Sequence, residues 1–202
     1  AKNIVIATGS DVASLPGTKI DEKNIISSTG ALSLKKVPKK MAIIGGGYIG
    51  LEMGSVWSRL GTEVTVIEYL DHITPGMDKE VSKEFQKILS KQGIKFKLNS
   101  KVIMVKDQSN SVLTKFVDND SLKEESIITD KVLISVGRKP YTEGLNLSKI
   151  GVKKDDKGRI KVNKKFQTDI KNIYAIGDVI DGPMLAHKAE EEGIAVAELL
   201  AG

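Results

Sequence analysis

The spacing of apolar and polar positions changes character three times between residues 41 and 68. Residues 41–44 (MAII) form a short unbroken apolar run, the pattern of a buried strand, and GGGYIG follows at once. From residue 48 to about 60, apolar side chains recur every three or four positions at Ile49, Met53, Val56, Trp57 and Leu60, which predicts a helix with these residues inward. Trp57 accordingly reads as core rather than as a stacking platform. Residues 64–67 (VTVI) return to strand character and end in the acid Glu68. A second helix is predicted over residues 79–91, with Val81, Phe85, Ile88 and Leu89 inward and Gly93 closing it. Strands are expected at 95–98, 102–105, 112–117 and 131–136, with the polar stretch 118–125 as a surface loop. Toward the ends, residues 4–6, 159–162 and 173–176 read as strands, 27–34 as a short helix and 186–200 as a longer one.

Strand, glycine turn, helix, strand and acid in this order predict a dinucleotide-binding βαβ unit. Each glycine of Gly45-x-Gly47-x-x-Gly50 meets a different demand: Gly45 permits the tight turn, Gly47 leaves room for a pyrophosphate, and Gly50 lets helix and strand pack closely. Phosphates would meet free backbone N–H groups at the positive end of the helix macrodipole. Glu68 stands eighteen residues beyond Gly50, where an acid that hydrogen-bonds the adenosine ribose is expected. It favours NAD over NADP, since a 2′-phosphate about 4 Å from it would cost roughly 1 kcal/mol in water and 4 at an effective dielectric near 20. Taken alone, the same glycines describe a tight turn and Glu68 a solvated strand end; the elements in register favour the nucleotide unit.

Composition narrows the picture further. A chain of 202 residues is enough for one or two domains with real cores. The formal charge of +5 comes from 31 basic and 26 acidic residues that are interspersed, and aromatics make up only 4%, so no nucleic-acid partner is expected. No apolar run is long enough to span a bilayer, and no membrane partner is expected either. Zero cysteine means no disulfide, thiolate chemistry or zinc-thiolate site in these residues; no metal site and no catalytic residue is predicted. Because the chain opens in the middle of a strand, a piece of a longer protein is expected.

Several further motifs agree with one another: IATGS at 6–10, GGGYIGLE at 45–52, VTVIE at 64–68, VGRKP at 136–140, NIYAIGDV at 172–179 and GPMLAHKAEEEG at 182–193. On these the sequence resembles the flavin-dependent disulfide oxidoreductases, in particular the branch that oxidises dihydrolipoyl groups, along essentially its whole length. The resemblance implies an α/β fold in which a Rossmann-like NAD-binding domain, a parallel sheet with a β-meander, is inserted in a partial FAD-binding domain. It assigns 1–34 to a first FAD-domain segment, 35–140 to the NAD-binding domain and 141–202 to a second FAD-domain segment.

The same resemblance places NAD on Gly45, Gly46, Gly47, Tyr48, Ile49, Gly50, Leu51, Glu52 and Glu68, with Val102 near adenine and Gly137 near the nicotinamide end. It places FAD along Thr8, Gly9 and Ser10, with Asp178 accepting from the ribityl chain and Met184, Leu185, Ala186 and His187 lining the flavin ring. Read by residue type alone, Glu52 is a first-turn acid, Asp178 a turn acid and His187 a polar helix start. For the intact enzyme the resemblance implies a homodimer that takes electrons from a dihydrolipoyl group of a 2-oxoacid dehydrogenase or glycine cleavage carrier. It further implies a bacterial cytoplasmic or mitochondrial matrix setting. A related flavoprotein disulfide reductase and a stand-alone nucleotide-binding or redox-sensing module are the alternative readings.

Overall fold

The computed structural model describes residues 1–202. In chain order the elements are β1 (Ile4–Ile6), β2 (Ser10–Val12), β3 (Ile25–Ile26), α1 (Ser28–Leu32), β4 (Lys40–Ile44), α2 (Tyr48–Arg59), β5 (Glu63–Ile67), α3 (Lys79–Lys91), β6 (Lys95–Lys97), β7 (Ser100–Asp107), β8 (Val112–Asp118), β9 (Glu124–Thr129), β10 (Lys131–Ile134), β11 (Arg138–Pro140), β12 (Ile173–Ala175) and α4 (Ala186–Ala201). Contacts divide the chain into two units, one of residues 1–11 and 138–202, the other of residues 12–137. No helix is long and apolar enough to cross a membrane.

The 12–137 unit is built on a five-stranded sheet in the order β3-β10-β4-β5-β6, parallel at every pairing. Its central strand β4 is apolar from Met41 to Ile44 because both faces are covered. On one face Met41 and Ile43 pack with Leu51, Trp57, Leu89 and Ala31 from the helices. On the other, Ala42 and Ile44 meet Val102, Val105, Val112 and Ile127 of the antiparallel meander β7-β8-β9. From β4 the chain passes through α2 to β5 on one side, while β3 and β10 lie on the other, so the strand order reverses at β4. That reversal opens a crevice beyond its C-terminal end, where ligands of open α/β sheets bind.

Three expectations change in this unit. Ile25 and Ile26 pair with Val132 and Leu133, so residues 12–34 fall in the unit of the central sheet, and the contacts part at Asp11 and Gly137 rather than at 34 and 140. Within 118–125, expected as a loop, strand β9 begins at Glu124, and its alternation is weak because Glu125 and Ile127 share a half-buried face. The helix faces also rotate: α2 buries Gly50, Leu51, Gly54 and Trp57 and exposes Val56, with Leu60 just beyond it exposed as well, while α3 buries only Ser82 and Leu89, leaving Val81, Phe85 and Ile88 in solvent.

In the other unit, β1 and β12 pair in parallel, Ile4 opposite Ile173 and Ile6 opposite Ala175. Ile6, Leu147, Val152, Ile160, Ile173, Ala175, Val179 and Ile180 form its core. The strand expected over 159–162 is reduced to one bridge between Lys154 and Ile160. The reason is local: the Asp155 carboxylate accepts the amides of Lys157 and Arg159, bending the chain into a turn there.

Candidate functional site

Beyond the end of β4 the three glycines sit in three different environments. Gly45 has φ +106, and a Cβ there would lie 2.4 Å from the Ser135 carbonyl oxygen, so only glycine fits. At Gly50 a Cβ would fall 2.3 Å from the Gly45 oxygen and 2.6 Å from Ser135 Oγ, so helix and turn are in direct contact. Gly47 is the opposite case. It caps α2 with φ −77 and ψ 177, and nothing lies within 4 Å of a Cβ built on it. The space reserved there is open, and no side chain caps the helix, leaving first-turn N–H groups without an intrahelical partner.

Glu68 closes one side of this turn. It is buried; its Oε2 accepts the Gly46 N–H at 2.6 Å and its Oε1 the Leu70 N–H at 2.8 Å. A carboxylate so held carries its charge beside the glycine turn while keeping further lone pairs for a vicinal diol. Gly46 is fixed at both ends, because its carbonyl accepts the Thr74 N–H at 2.8 Å. Its amide is therefore taken by Glu68, and the amides open to a phosphate are those that follow it. Ser135 braces the turn from just beyond β10, its hydroxyl 3.0 Å from the Ile44 oxygen and 3.1 Å from the Gly45 oxygen. Sequence reasoning missed both Thr74 and Ser135, since isolated hydroxyl residues in loops carry no pattern.

The remaining residues expected on this side lie on α2, on β7 and just beyond β10. Ile49 is half-buried and Leu51 buried in α2, whereas Tyr48 and Glu52 are exposed and line a groove with Val81, Phe85 and Ile88 of α3. Val102 is half-buried on β7 opposite Phe116, and Gly137, with φ +126, has open space around it.

In the 1–11 and 138–202 unit, the expected residues gather by hydrogen bonds. Ser10 Oγ donates to Asp178 Oδ2 at 2.5 Å, and Arg138 holds Ser10 through both its hydroxyl and its carbonyl, each at 2.6 Å. Thr8 Oγ1 donates to the Tyr141 carbonyl at 2.5 Å, and Gly9 accepts the Tyr141 amide at 2.9 Å with φ +72. The turn bearing Asp178 is clamped by α4. Glu192 accepts the Gly177 N–H at 2.7 Å, while Lys188 pairs with Glu192 at 2.8 Å and donates to the Gly177 carbonyl at 3.1 Å. Met184 and Leu185 are half-buried and Ala186 and His187 exposed at the start of α4, whose N-cap Leu185 gives no side-chain hydrogen bond. His187 has no acid partner here, in keeping with a helix-start residue; the histidine that does meet an acid is His72, 2.5 Å from Asp71.

Residues 1–193 match the family described as pyridine nucleotide-disulphide oxidoreductase. The mitochondrial dihydrolipoyl dehydrogenase of Pisum sativum is 59% identical over 202 residues, covering 100% of this chain and 40% of its own length. Leghemoglobin reductase of Glycine max is 58% identical, again over the whole chain and over 38% of its own length. The chain thus spans about 40% of the length of the curated relatives it matches. Among solved structures, the HOCl-induced flavoprotein disulfide reductase RclA from Escherichia coli, in its Cu(II) complex, superposes with a TM-score of 0.88 at 30% identity, over 100% of this chain and 45% of that one.

Proposed function

This chain belongs to the pyridine nucleotide-disulphide oxidoreductases, and from that premise we propose that residues 12–137 bind NAD as the hydride-accepting part of a flavin-dependent dihydrolipoyl dehydrogenase. The observation that carries the reading is the open space at Gly47 flanked by the amide-held carboxylate of Glu68. A pyrophosphate fits that space and finds unpaired N–H groups at the start of α2. A ribose diol fits Glu68, and a 2′-phosphate does not, so NAD rather than NADP is the nucleotide. Glu52, exposed in α2, would help seat the nicotinamide, with Gly137 near the same end, and Tyr48, exposed one turn before Glu52, would lie along the nucleotide.

The flanking unit, residues 1–11 and 138–202, is read as part of an FAD-binding domain. Asp178, oriented by Ser10 and clamped through Gly177 by Glu192, would accept from a ribityl hydroxyl; Thr8, Gly9 and Met184–His187 would lie along the same group. The uncapped start of α4 favours negative charge on a ring placed there. FAD, when bound, supplies the two-electron carrier between thiols and nicotinamide. These residues contain no cysteine, so the thiol–disulfide exchange is not theirs to perform. Their part would be to hold the two cofactors, and the 202 residues alone are expected not to turn over dihydrolipoamide.

For the whole protein the reading implies a homodimer serving the lipoyl carrier of a 2-oxoacid dehydrogenase or glycine cleavage system. The name of the pea relative favours the mitochondrial matrix over a bacterial cytoplasm as the setting. The test is a titration of the purified chain with NADH and with NADPH, followed by nicotinamide fluorescence. Saturable binding selective for NADH is expected; equal affinity for both would remove Glu68 as the ribose acid, and binding of neither would remove the nucleotide site.

A further inference from the structure

Thr74 is a non-glycine residue in the left-handed region, with φ +51, and it is buried. A β-branched residue pays of order 1–3 kcal/mol to stay there, and persists only where surrounding contacts over-determine it. The contacts are visible. Its N–H donates to the Gly46 carbonyl at 2.8 Å, its hydroxyl lies 2.8 Å from that of Ser82, and its carbonyl accepts the Met77 N–H at 3.1 Å. Ser82 is 1% exposed in the first turns of α3, where its own amide is bonded to Asp78, the residue that caps the helix. Beside Thr74, Ile73 is fully buried in the core and lies 3.3 Å from a Cβ built on Gly46.

The position of Gly46 gives this arrangement a consequence outside the loop. The two peptide groups that flank its Cα are held separately, Gly45–Gly46 by Glu68 through the amide and Gly46–Gly47 by Thr74 through the carbonyl. Release of the carbonyl would free the Gly46–Gly47 peptide to rotate, and with it the Gly47 N–H, the first amide of the turn that Glu68 does not take. We propose that Thr74 and Ser82 are positioning residues for dinucleotide binding: their buried hydroxyl pair holds Thr74 in its left-handed conformation, keeping its N–H on Gly46 and so fixing the glycine turn against Glu68. The proposal rests on the reading of the glycine turn as the NAD site. It makes α3 part of that site although α3 contributes no side chain to the turn itself.

Without the Ser82 hydroxyl, the Thr74 hydroxyl is buried with no partner, and the cheapest relief is for Thr74 to leave the left-handed region and take its N–H away from Gly46. Glycine at position 74 has neither the hydroxyl to satisfy nor a cost for φ +51, and it keeps the N–H. The Ser82 hydroxyl is therefore expected to matter to binding only while threonine occupies position 74. Ser82→Ala is expected to weaken NADH binding about tenfold. On a Thr74→Gly background the same Ser82→Ala change should alter NADH affinity by no more than about twofold, because the hydroxyl it would orphan is already gone.

The experiment is a fluorescence titration of all four proteins with NADH, with thermal unfolding recorded in parallel. Loss of the Ser82→Ala effect on the Thr74→Gly background is a readout that loss of packing around Ser82 would not give. Unchanged affinity in Ser82→Ala, whatever its unfolding temperature, would overturn the proposal and leave the hydroxyl pair a stability element only. A further loss of about tenfold from Ser82→Ala on the Thr74→Gly background would overturn it too. Absence of NADH binding by the parent chain would instead overturn the nucleotide reading on which it stands.

Discussion

Glu68 holds Gly46 by a 2.6 Å hydrogen bond from the glycine amide to carboxylate Oε2, across twenty-two positions of sequence. The acid that would select the ribose is thus also a structural acceptor, since Leu70 donates to its other oxygen. Glu68→Arg is expected to do two things at once: shift preference from NADH toward NADPH, and lower stability by about 1–3 kcal/mol because two amides lose their acceptor. Glu68→Gln keeps one acceptor oxygen and should lose less stability without gaining NADPH preference. Paired titrations and thermal unfolding separate the two roles; unchanged selectivity in Glu68→Arg would mean that Glu68 does not meet the ribose.

Gly47 and Gly50 should separate binding from folding. A valine at 47 enters open space in a backbone conformation that any residue adopts, so Gly47→Val is expected to fold and unfold as the parent does while losing NADH binding. Gly50→Ala drives a Cβ to within 2.3 Å of the Gly45 carbonyl, which cannot move without reopening the turn. It should cost about 1–3 kcal/mol or more in unfolding free energy. Normal NADH affinity in folded Gly47→Val would refute the pyrophosphate assignment.

The sequence makes this much of the fold legible because the glycine turn and the strands around it obey local rules. Met41–Ile44 is apolar at every position since the sheet is covered on both faces, and Gly45, Gly47 and Gly50 each show the environment that their spacing predicts. What was not legible depends on tertiary context. Ile25 and Ile26 are too short a run to mark a strand, and only pairing with Val132 and Leu133 makes them one. Thr74, Ser82 and Ser135 act through single hydroxyls and amides, which leave no periodicity. The α3 stripe misled for the reverse reason: its period is helical, but Val81, Phe85 and Ile88 point away from the sheet, and Ser82 and Leu89 face it.

That inversion in α3 predicts unequal costs for its apolar residues. Leu89 is 3% exposed and packs in the core beside the sheet, so Leu89→Ala should cost about 2–5 kcal/mol. Ile88, next to it in sequence and larger than alanine by the same measure, is 51% exposed, and Ile88→Gln should fall within about 0.5 kcal/mol of the parent. Urea unfolding of the two variants decides it. Equal losses would mean that α3 buries the face its periodicity first suggests.

Asp155 supplies a pH dependence with a definite sign. Partial desolvation pushes its carboxyl up, but the Arg159 amide, the Arg159 guanidinium with Nε 2.6 Å from Oδ2, and the Lys157 amide together outweigh this and hold it below the ordinary carboxylate range. Arg159 also bonds Asp181, so the guanidinium stays in place and charged throughout. A carboxyl more acidic in the folded chain than in the unfolded one binds its proton more readily when unfolded. Its stabilisation is therefore complete above the ordinary value of about 3.9 and disappears as pH falls through the lowered folded value. Asp155→Asn removes the charge at every pH, so the stability gap between the parent and this variant should be constant from about pH 7 to pH 5, narrow below about pH 4, and be least in strong acid. Unfolding measured across that range, with an NMR titration of the Asp155 carboxyl, checks both halves. A gap that does not change with pH would mean that the turn at 155–159 is held by its backbone bonds and not by the charge.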